Sequence, residues 1–201
     1  MSLIENLPDE ILLKIFAFLQ QKDVVQCLQV STTFRRISKD ETLWQKLHIQ
    51  NEKIPVKLIG QVLGYGLRHL SFEYSYEYYY YTEILHRNFH MKFPVSQLKS
   101  LIFQYDYFTY AGLYQSRAFL SVLLGCCHVL EKLSLPWFDL GLNFQNIAQN
   151  GCYLKVLHVG HLNLEAAKLI VNNCTELSEL ALTTRNMYGL IKNGPTLSIV
   201  P

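Results

Sequence analysis

Two kinds of apolar spacing divide the chain, one over residues 1–47 and another from residue 67 onward. The first region carries apolar residues in short dense blocks. In Leu7 to Leu19, LPDEILLKIFAFL, only Lys14 interrupts the run from Ile11 to the end. Pro8 suits the first helical position, and Asp9 and Glu10 set negative charge against the positive end of the dipole, so the stretch predicts a helix. A surface helix keeps a polar face. This one therefore lies at the centre of a core or offers half of itself to a partner. Asp23 before VVQCLQV, with Gln26 three residues later, predicts a capping-box start to a second helix. Ser31 is placed to cap a third, and Asp40 a last turn that carries Leu43, Trp44 and Leu47.

From residue 67 a six-residue pattern recurs: Leu67-Arg-His-Leu70-Ser-Phe72, Leu98-Lys-Ser-Leu101-Ile-Phe103, Leu130-Glu-Lys-Leu133-Ser-Leu135, Leu154-Lys-Val-Leu157-His-Val159 and Leu177-Ser-Glu-Leu180-Ala-Leu182. The leading leucines step by 31, 32, 24 and 23 residues. Alternation within each unit predicts a strand, and such a unit buries its apolar edge only by stacking on neighbours. Helices are predicted between them, most plainly over Leu164 to Asn172 and Phe119 to Leu124. Cys127 and Cys174 stand three residues before a leading leucine, and Gly151 takes that place once. The two long steps contain SYEYYYYTEILHRNFHMKFP and QYDYFTYAGLYQSR. Tyr74, Tyr76 and Tyr78 to Tyr81 cluster around the first, where tyrosine offers large contact area with a polar tip. Leu197-Ser-Ile-Val200-Pro201 predicts the start of a sixth strand, with no polar capping unit after it, so the array reads as cut short.

Composition narrows the function classes. Half of the 201 residues are hydrophobic and 17% are charged, as in a folded chain with ample length for a core. The net charge is +2, and Arg35-Arg36 is the only adjacent Lys/Arg pair, which gives no basic face for nucleic acid. The longest uncharged run, Ala118 to Leu130, has 13 residues, short of the roughly 20 a membrane span needs. Glu5, Asp9 and Glu10 occupy the place where a signal peptide carries positive charge. Five cysteines, an odd number inside apolar periodic segments, predict reduced, buried thiols of the cytosol or nucleus.

No complete catalytic constellation is present. His86 and His90 have the i, i+4 spacing of metal ligands, but Arg87 stands where a zincin has its glutamate and no third ligand is evident. Cys126-Cys127-His128 places adjacent thiols in different directions on a helix, and His158 and His161 show no carboxylate partner. Neither a nucleophile elbow, a phosphate loop nor a kinase signature occurs. The expectation is a chain with no catalytic residue, no metal and no cofactor.

Leu7-Pro8-Asp9-Glu10-Ile11, Ile15-Phe16, Leu19, Asp23, Leu28, Val30-Ser31, Phe34-Arg35, Ile37 and Leu43-Trp44 together resemble an F-box. Phe34 departs from the pattern, where the family commonly has tryptophan, yet keeps an aromatic ring. The resemblance implies a Skp-type adaptor as partner and, through it, a cullin-RING ubiquitin ligase. Carried over by position, Leu7, Pro8, Ile11, Ile15, Leu19, Leu28, Val30 and Trp44 form or support the adaptor surface. The later segments resemble cysteine-containing leucine-rich repeats, and F-box plus such repeats is a known architecture.

The fold expected from this is an α+β repeat. A small all-helical F-box spans 1–47, a linker and first repeat helix 48–66, and leucine-rich repeats of one strand and one helix 67–201, irregular over 67–129. Alternation nominates outward-facing positions for a target protein: His69, Ser71, Glu73, Ser100, Ile102, Gln104, Lys132, Ser134, Pro136, Val156, His158, Gly160, Glu179, Ala181 and Thr183. Their mixed charge points to no substrate class. The function implied is that of a non-catalytic substrate-recognition subunit of an SCF ubiquitin ligase, cytoplasmic or nuclear, without nucleic acid or membrane. A scaffold outside any ligase, or a shortened form that occupies adaptor without target, is the alternative.

Overall fold

A computed structural model describes residues 3–50, 56–74, 95–105, 120–139, 145, 147, 149, 152–162, 164–185 and 191–198. The head consists of a 3-10 turn Leu3–Asn6, helices α1 Asp9–Phe16, α2 Gln21–Val30 and α3 Thr32–Ile37, and a second 3-10 turn Glu41–Trp44. Two of the expected caps form. The Ser31 hydroxyl accepts from the Phe34 N–H at 3.2 Å, and the Asp40 carboxylate from the Thr42 N–H at 3.0 Å. Two boundaries differ from expectation. Pro8 sits at the N-cap and not inside α1, and α2 begins at Gln21. The Gln20 carbonyl already accepts from the Asp23 and Val24 N–H groups at 2.8 and 3.1 Å, so Asp23 lies within the first turn and no capping box forms there. Its charge still opposes the helix dipole.

The head has a core of its own, and it is small. Leu12, Phe16 and Ile37 are buried there, with Leu13, Ile15, Cys27, Phe34 and Leu43 against them. Phe34 meets Phe16 edge-on at 5.1 Å, the preferred aromatic geometry, so the smaller ring fills its place. Arg36 grips Asp9 with two hydrogen bonds, Nη2 to Oδ1 at 2.8 Å and Nη1 to Oδ2, which ties α3 to α1.

Seven strands are found among the described residues, in one sheet and in chain order: β1 Lys46–Gln50, β2 His69–Tyr74, β3 Ser100–Tyr105, β4 Lys132–Asp139, β5 Val156–His161, β6 Glu179–Arg185 and β7 Ile191–Ser198. The first six are parallel, and Leu47, Leu70, Leu101, Leu133, Leu157 and Leu180 stand in one row across them. Every expected hexad therefore supplies a strand that starts at its third residue, while the leading leucine is buried just before it. The entry to each strand repeats one hydrogen-bond device. Lys99 and Ser100 N–H both donate to the Arg68 carbonyl, Glu131 and Lys132 to Lys99, Lys155 and Val156 to Glu131, Ser178 and Glu179 to Lys155. Each rung thereby satisfies polar groups of the next, which fixes register before the strands begin.

Among the described residues the helices of the body cover the leucine side. They are α4 Val56–Gly64, α5 at residues 120–125 and α6 Leu164–Asn173, and residues 145, 147 and 149 are helical as well, with Ile147 in the core. Ile59, Val62, Leu63, Leu120, Leu123, Leu124 and Ile170 join the strand leucines in one continuous core, and Phe72 stacks on Phe103 at 4.4 Å. Cys127 and Cys174 are buried where α5 and α6 hand over to the next strand, and the Cys127 thiol donates to the Leu123 carbonyl at 3.1 Å. All five thiols are free, but against the expectation of burial Cys27 is only half-buried and Cys152 is exposed, the latter because it lies in the turn before Leu154 and not on a packed face. Gly66 closes the α4–β2 turn with φ +90, where an added Cβ would stand 3.2 Å from the Glu41 side chain.

Two elements correct the sequence-based reading. Residues 46–47, expected at the end of an all-helical head, and 48–50, expected in a linker, belong to β1, whose Leu47 and Ile49 point into the sheet core. Trp44-Gln-Lys-Leu47-His-Ile49 is the same hexad with tryptophan in the leading place, 23 positions before Leu67. The final strand is longer than expected and reversed: β7 pairs antiparallel with β6, Leu197 opposite Leu180. A parallel return needs a crossover of about a dozen residues. Only residues 186–190 separate β6 from β7, so a hairpin is the connection available.

Candidate functional site

The head presents apolar side chains outward as well as inward. On α1, Leu12 and Phe16 are buried while Ile11 is 40% exposed, and Leu7 and Leu19 at its flanks are 37% and 36% exposed. Val30 at the end of α2 is 65% exposed. Pro8 is exposed, Ile15 and Leu28 are half-buried. Trp44 is different. It is wholly interior, its Nε1 donates to the Ser38 carbonyl at 2.6 Å, and its ring lies 6.0 Å from Tyr65. It can act on a partner only by holding its neighbours in place. Sequence reasoning missed the most exposed apolar residue of the head, Phe18, at 91%, and also Ile4 at 39%. Neither lies on α1, since Ile4 is in the 3-10 turn before it and Phe18 in the turn after it, so helical periodicity gave no signal for them.

The second candidate surface is the sheet face opposite the helices. His48 Nδ1 lies 2.8 Å from Ser71 Oγ and its Nε2 3.4 Å from Glu73, whose carboxylate also accepts from the Gln50 amide at 3.3 Å. Ser71, His48 and Glu73 have the composition of a nucleophilic triad. However, β2 is paired on both sides, so its amides are engaged in the ladder and aim no donor pair at a developing oxyanion. Further along, His158 Nε2 stands 2.7 Å from Glu179, so it does have a carboxylate partner. That partner comes from the next rung, 21 residues on, and strand register alone brings it there.

The nominated positions differ in what they offer. His69 and Gln104 are exposed; Ser71, Glu73, Lys132, His158 and Glu179 are half-buried. Ser100 and Ser134 are buried at 9%, sunk between larger neighbours on the adjoining strands. The side chain of Thr183 lies outside the described residues, as do His86, His90 and the tyrosines from Tyr76 to Tyr81. Burial lowers the His69 pKa, and Lys46, Lys99 and Arg68 lower it further, so this ring is held neutral in a cationic setting. Lys99 and Lys155 share Glu131, at 2.8 and 3.4 Å, and keep its carboxyl below the usual range. The hydrogen bond with Cys126, together with burial, holds the Cys127 thiol protonated, and burial pushes Cys174 up to about 11. Neither thiol is poised as a nucleophile. Among the described residues no cluster of three His, Cys, Asp or Glu could hold a metal, and no helix is long and apolar enough to cross a membrane.

Comparison with known proteins locates the likeness in the head. A family model for F-box-like domains matches residues 4–50, from the first 3-10 turn to the end of β1. The F-box protein dre-1 of Caenorhabditis elegans is 38% identical over 55 residues, which cover 26% of this chain and 6% of that protein. The F-box/WD repeat-containing protein 8 of Homo sapiens is 41% identical over 50 residues, 25% of this chain and 8% of the relative. The likeness thus spans less than a tenth of either relative's length. The N-terminal region is an F-box-like domain, followed by a region of parallel strands.

Proposed function

We propose that this chain, an F-box-like domain joined to a parallel-stranded body, is a substrate-recognition subunit of an SCF ubiquitin ligase. The head binds a Skp-type adaptor, the adaptor links it to a cullin, and the body holds a target protein for ubiquitylation. One observation carries the reading: the F-box-like segment folds as a helical unit that leaves Leu7, Ile11, Phe18, Leu19 and Val30 uncovered beside a core of only three fully buried residues. A unit this small is poor in buried surface, and covering those side chains with a partner contributes roughly 1.5–3 kcal/mol for each fully buried Leu, Ile or Phe. A few such anchors offset the entropy lost on association.

The one-row leucines, the helices on a single face and the repeated entry carbonyls support reading the body as leucine-rich repeats. On that reading the domain border falls inside β1, since residues 46–50 serve both the F-box-like segment and the sheet. The protein itself does no bond chemistry. It raises the effective concentration of target lysines near a conjugating enzyme, which makes an intermolecular transfer nearly intramolecular. A cytoplasmic or nuclear setting suits this role and the free thiols.

Co-expression with a Skp-type adaptor and a cullin, followed by gel filtration, tests the reading. The expected result is one stoichiometric complex, lost in Ile11→Asp because that variant sets a carboxylate into an apolar interface. Ile11 is exposed in the free chain, so the variant keeps its fold. Adaptor capture that Ile11→Asp leaves unchanged removes the proposal.

A further inference from the structure

The entry ends of β1 to β4 gather cations that are far apart in sequence. Lys46 on β1, His69 on β2, Ser100 on β3 and Lys132 on β4 share one row of the register. Arg68 and Lys99, one residue before β2 and β3, stand beside that row, since Lys99 and Ser100 both bond to the Arg68 carbonyl. Each of four neighbouring rungs therefore brings one lysine or arginine to the same edge. Strands are about 4.8 Å apart, so the line from Lys46 to Lys132 measures about 14 Å. Among the described residues Lys46, Arg68 and Lys132 have no ion-pair partner, and Lys99 shares Glu131 with Lys155. Two carboxylates share this edge, and both are engaged: Glu131, one residue before β4, by Lys99 and Lys155, and Glu179, two strands beyond Lys132 in the same row, by His158; Glu73 lies at the far end of β2 with His48 and Gln50. Three unpaired cations in line are not a device for stability, because they repel one another; they await negative charge from outside the chain.

We infer that this edge, Lys46, Arg68, Lys99 and Lys132, binds an acidic peptide segment of the target protein, an extended stretch in which several Asp or Glu carboxylates follow one another. The inference rests on the target-binding role proposed for the body and adds the chemical class of what it holds. Spacing selects carboxylates over a single phosphate. A phosphate dianion is best held by guanidinium forks that converge on it, whereas these are mostly lysines, point charges set one to a rung. An extended peptide advances about 3.3 Å per residue, so a run of about five spans the row. Nucleic acid would demand a longer basic face than four rungs on a chain of net charge +2 supply.

The test uses the full chain bound to its Skp-type adaptor. A fluorescent peptide of alternating Glu and Ser, about 10 residues long to overhang the row on both sides, is titrated by anisotropy beside an alternating Lys and Ser peptide and a single-stranded oligonucleotide. The acidic peptide binds, the basic one does not, and raising salt from about 0.05 to 0.5 M weakens binding steeply. Arg68→Glu with Lys132→Glu lowers affinity at least about tenfold, since both residues turn from attraction to repulsion. Lys168→Glu, the same kind of charge change on α6, leaves binding unaltered. Neither Arg68 nor Lys132 lies in the F-box-like segment, so adaptor co-elution persists in the double variant and reports its fold. Adaptor binding without acidic-peptide binding, an equal loss in Lys168→Glu, or tighter capture of the oligonucleotide overturns this inference and leaves the ligase reading standing. Peptide binding by a chain that captures no adaptor does the reverse.

Discussion

Head and body solve the same problem in opposite ways. The body meets its hydrogen-bonding and packing needs rung by rung: each strand entry is bonded to the one before, and each leucine lies on its neighbour in register. Such an array is stable through nearest neighbours, and its free face is mixed, with Ile102, Val156 and Ala181 level with Ser71, Lys132 and His158. The head has no neighbour of its own kind. It buries three residues fully in its own core, leans through Trp44, Val24 and Leu43 on the core of the sheet, and leaves Ile4, Leu7, Ile11, Phe18, Leu19 and Val30 exposed. The difference separates two sorts of apolar residue that look alike in sequence, those that hold the chain together and those that wait for another.

Trp44 decides whether the two regions are one cooperative unit. It ends the F-box-like pattern and leads the first hexad, and Leu43 beside it touches both cores. Trp44→Ala removes a fully buried indole and leaves the Ser38 carbonyl without its donor, for a loss of about 3–5 kcal/mol. In urea titration followed by circular dichroism, head and body are expected to lose stability together, in a single shifted transition. A body transition that stays in place while the head melts would break the comparison, making the two regions separate units. Ile11→Asp is the counterpart, abolishing adaptor binding with little movement of the same transition.

Legibility in the sequence followed the range of the interaction. Ser31 and Asp40 were readable because a cap is made within three residues. The strands of β2 to β6 were readable because one short pattern repeats and stacking forces a common register. β1 was hidden because Trp44 replaces the leading leucine, and its F-box-like role absorbed the residue first. The direction of β7 depends on the length of the connection before it and not on its own residues. His158 found Glu179, and Lys46 came level with Lys132, only through register between rungs more than twenty residues apart. The cationic edge was invisible for that reason, since no two of its members on different rungs are sequence neighbours.

A milder change sharpens the comparison at the head. Ser31→Ala deletes the side chain that accepts from the Phe34 N–H at the start of α3, a helix of six residues with few other means of starting. N-caps of this kind contribute about 0.5–2 kcal/mol. The expected result is a stability loss near the middle of that range and weaker adaptor capture, because α3 carries Phe34 and Ile37 of the small core. Ser178→Ala is the matched change in the body. It removes a hydroxyl that donates to the Lys155 carbonyl at 3.1 Å, a group the rung's own amides already satisfy, and should move stability less.

Acid titration gives the smallest effect and separates the two regions by their ion pairs. Arg36, hydrogen-bonded to Asp9, holds that carboxyl below its usual value, and Lys99 and then Lys155 do the same for Glu131. In both cases the folded pKa lies below the unfolded one, so the contribution to stability is present above the unfolded carboxylate values, about 3.9 for Asp and 4.3 for Glu, and fades as pH falls through the folded pKa. Arg36 and Lys155 are exposed and Asp9, Lys99 and Glu131 half-exposed, so solvent screens every pair and each effect is modest. Arg36→Gln takes away the cation that pairs with Asp9, and the urea midpoint gap between this variant and the parent chain should be open at neutral pH and close as pH falls below the unfolded carboxylate value and through the lowered folded one. Lys155→Gln leaves Glu131 with Lys99 at 2.8 Å, so its gap should be narrower and follow the same direction. Equal gaps for the two variants would mean that the shared carboxylate of the body is no better protected than the lone pair of the head, and that the redundancy built into the rungs does not extend to their charges.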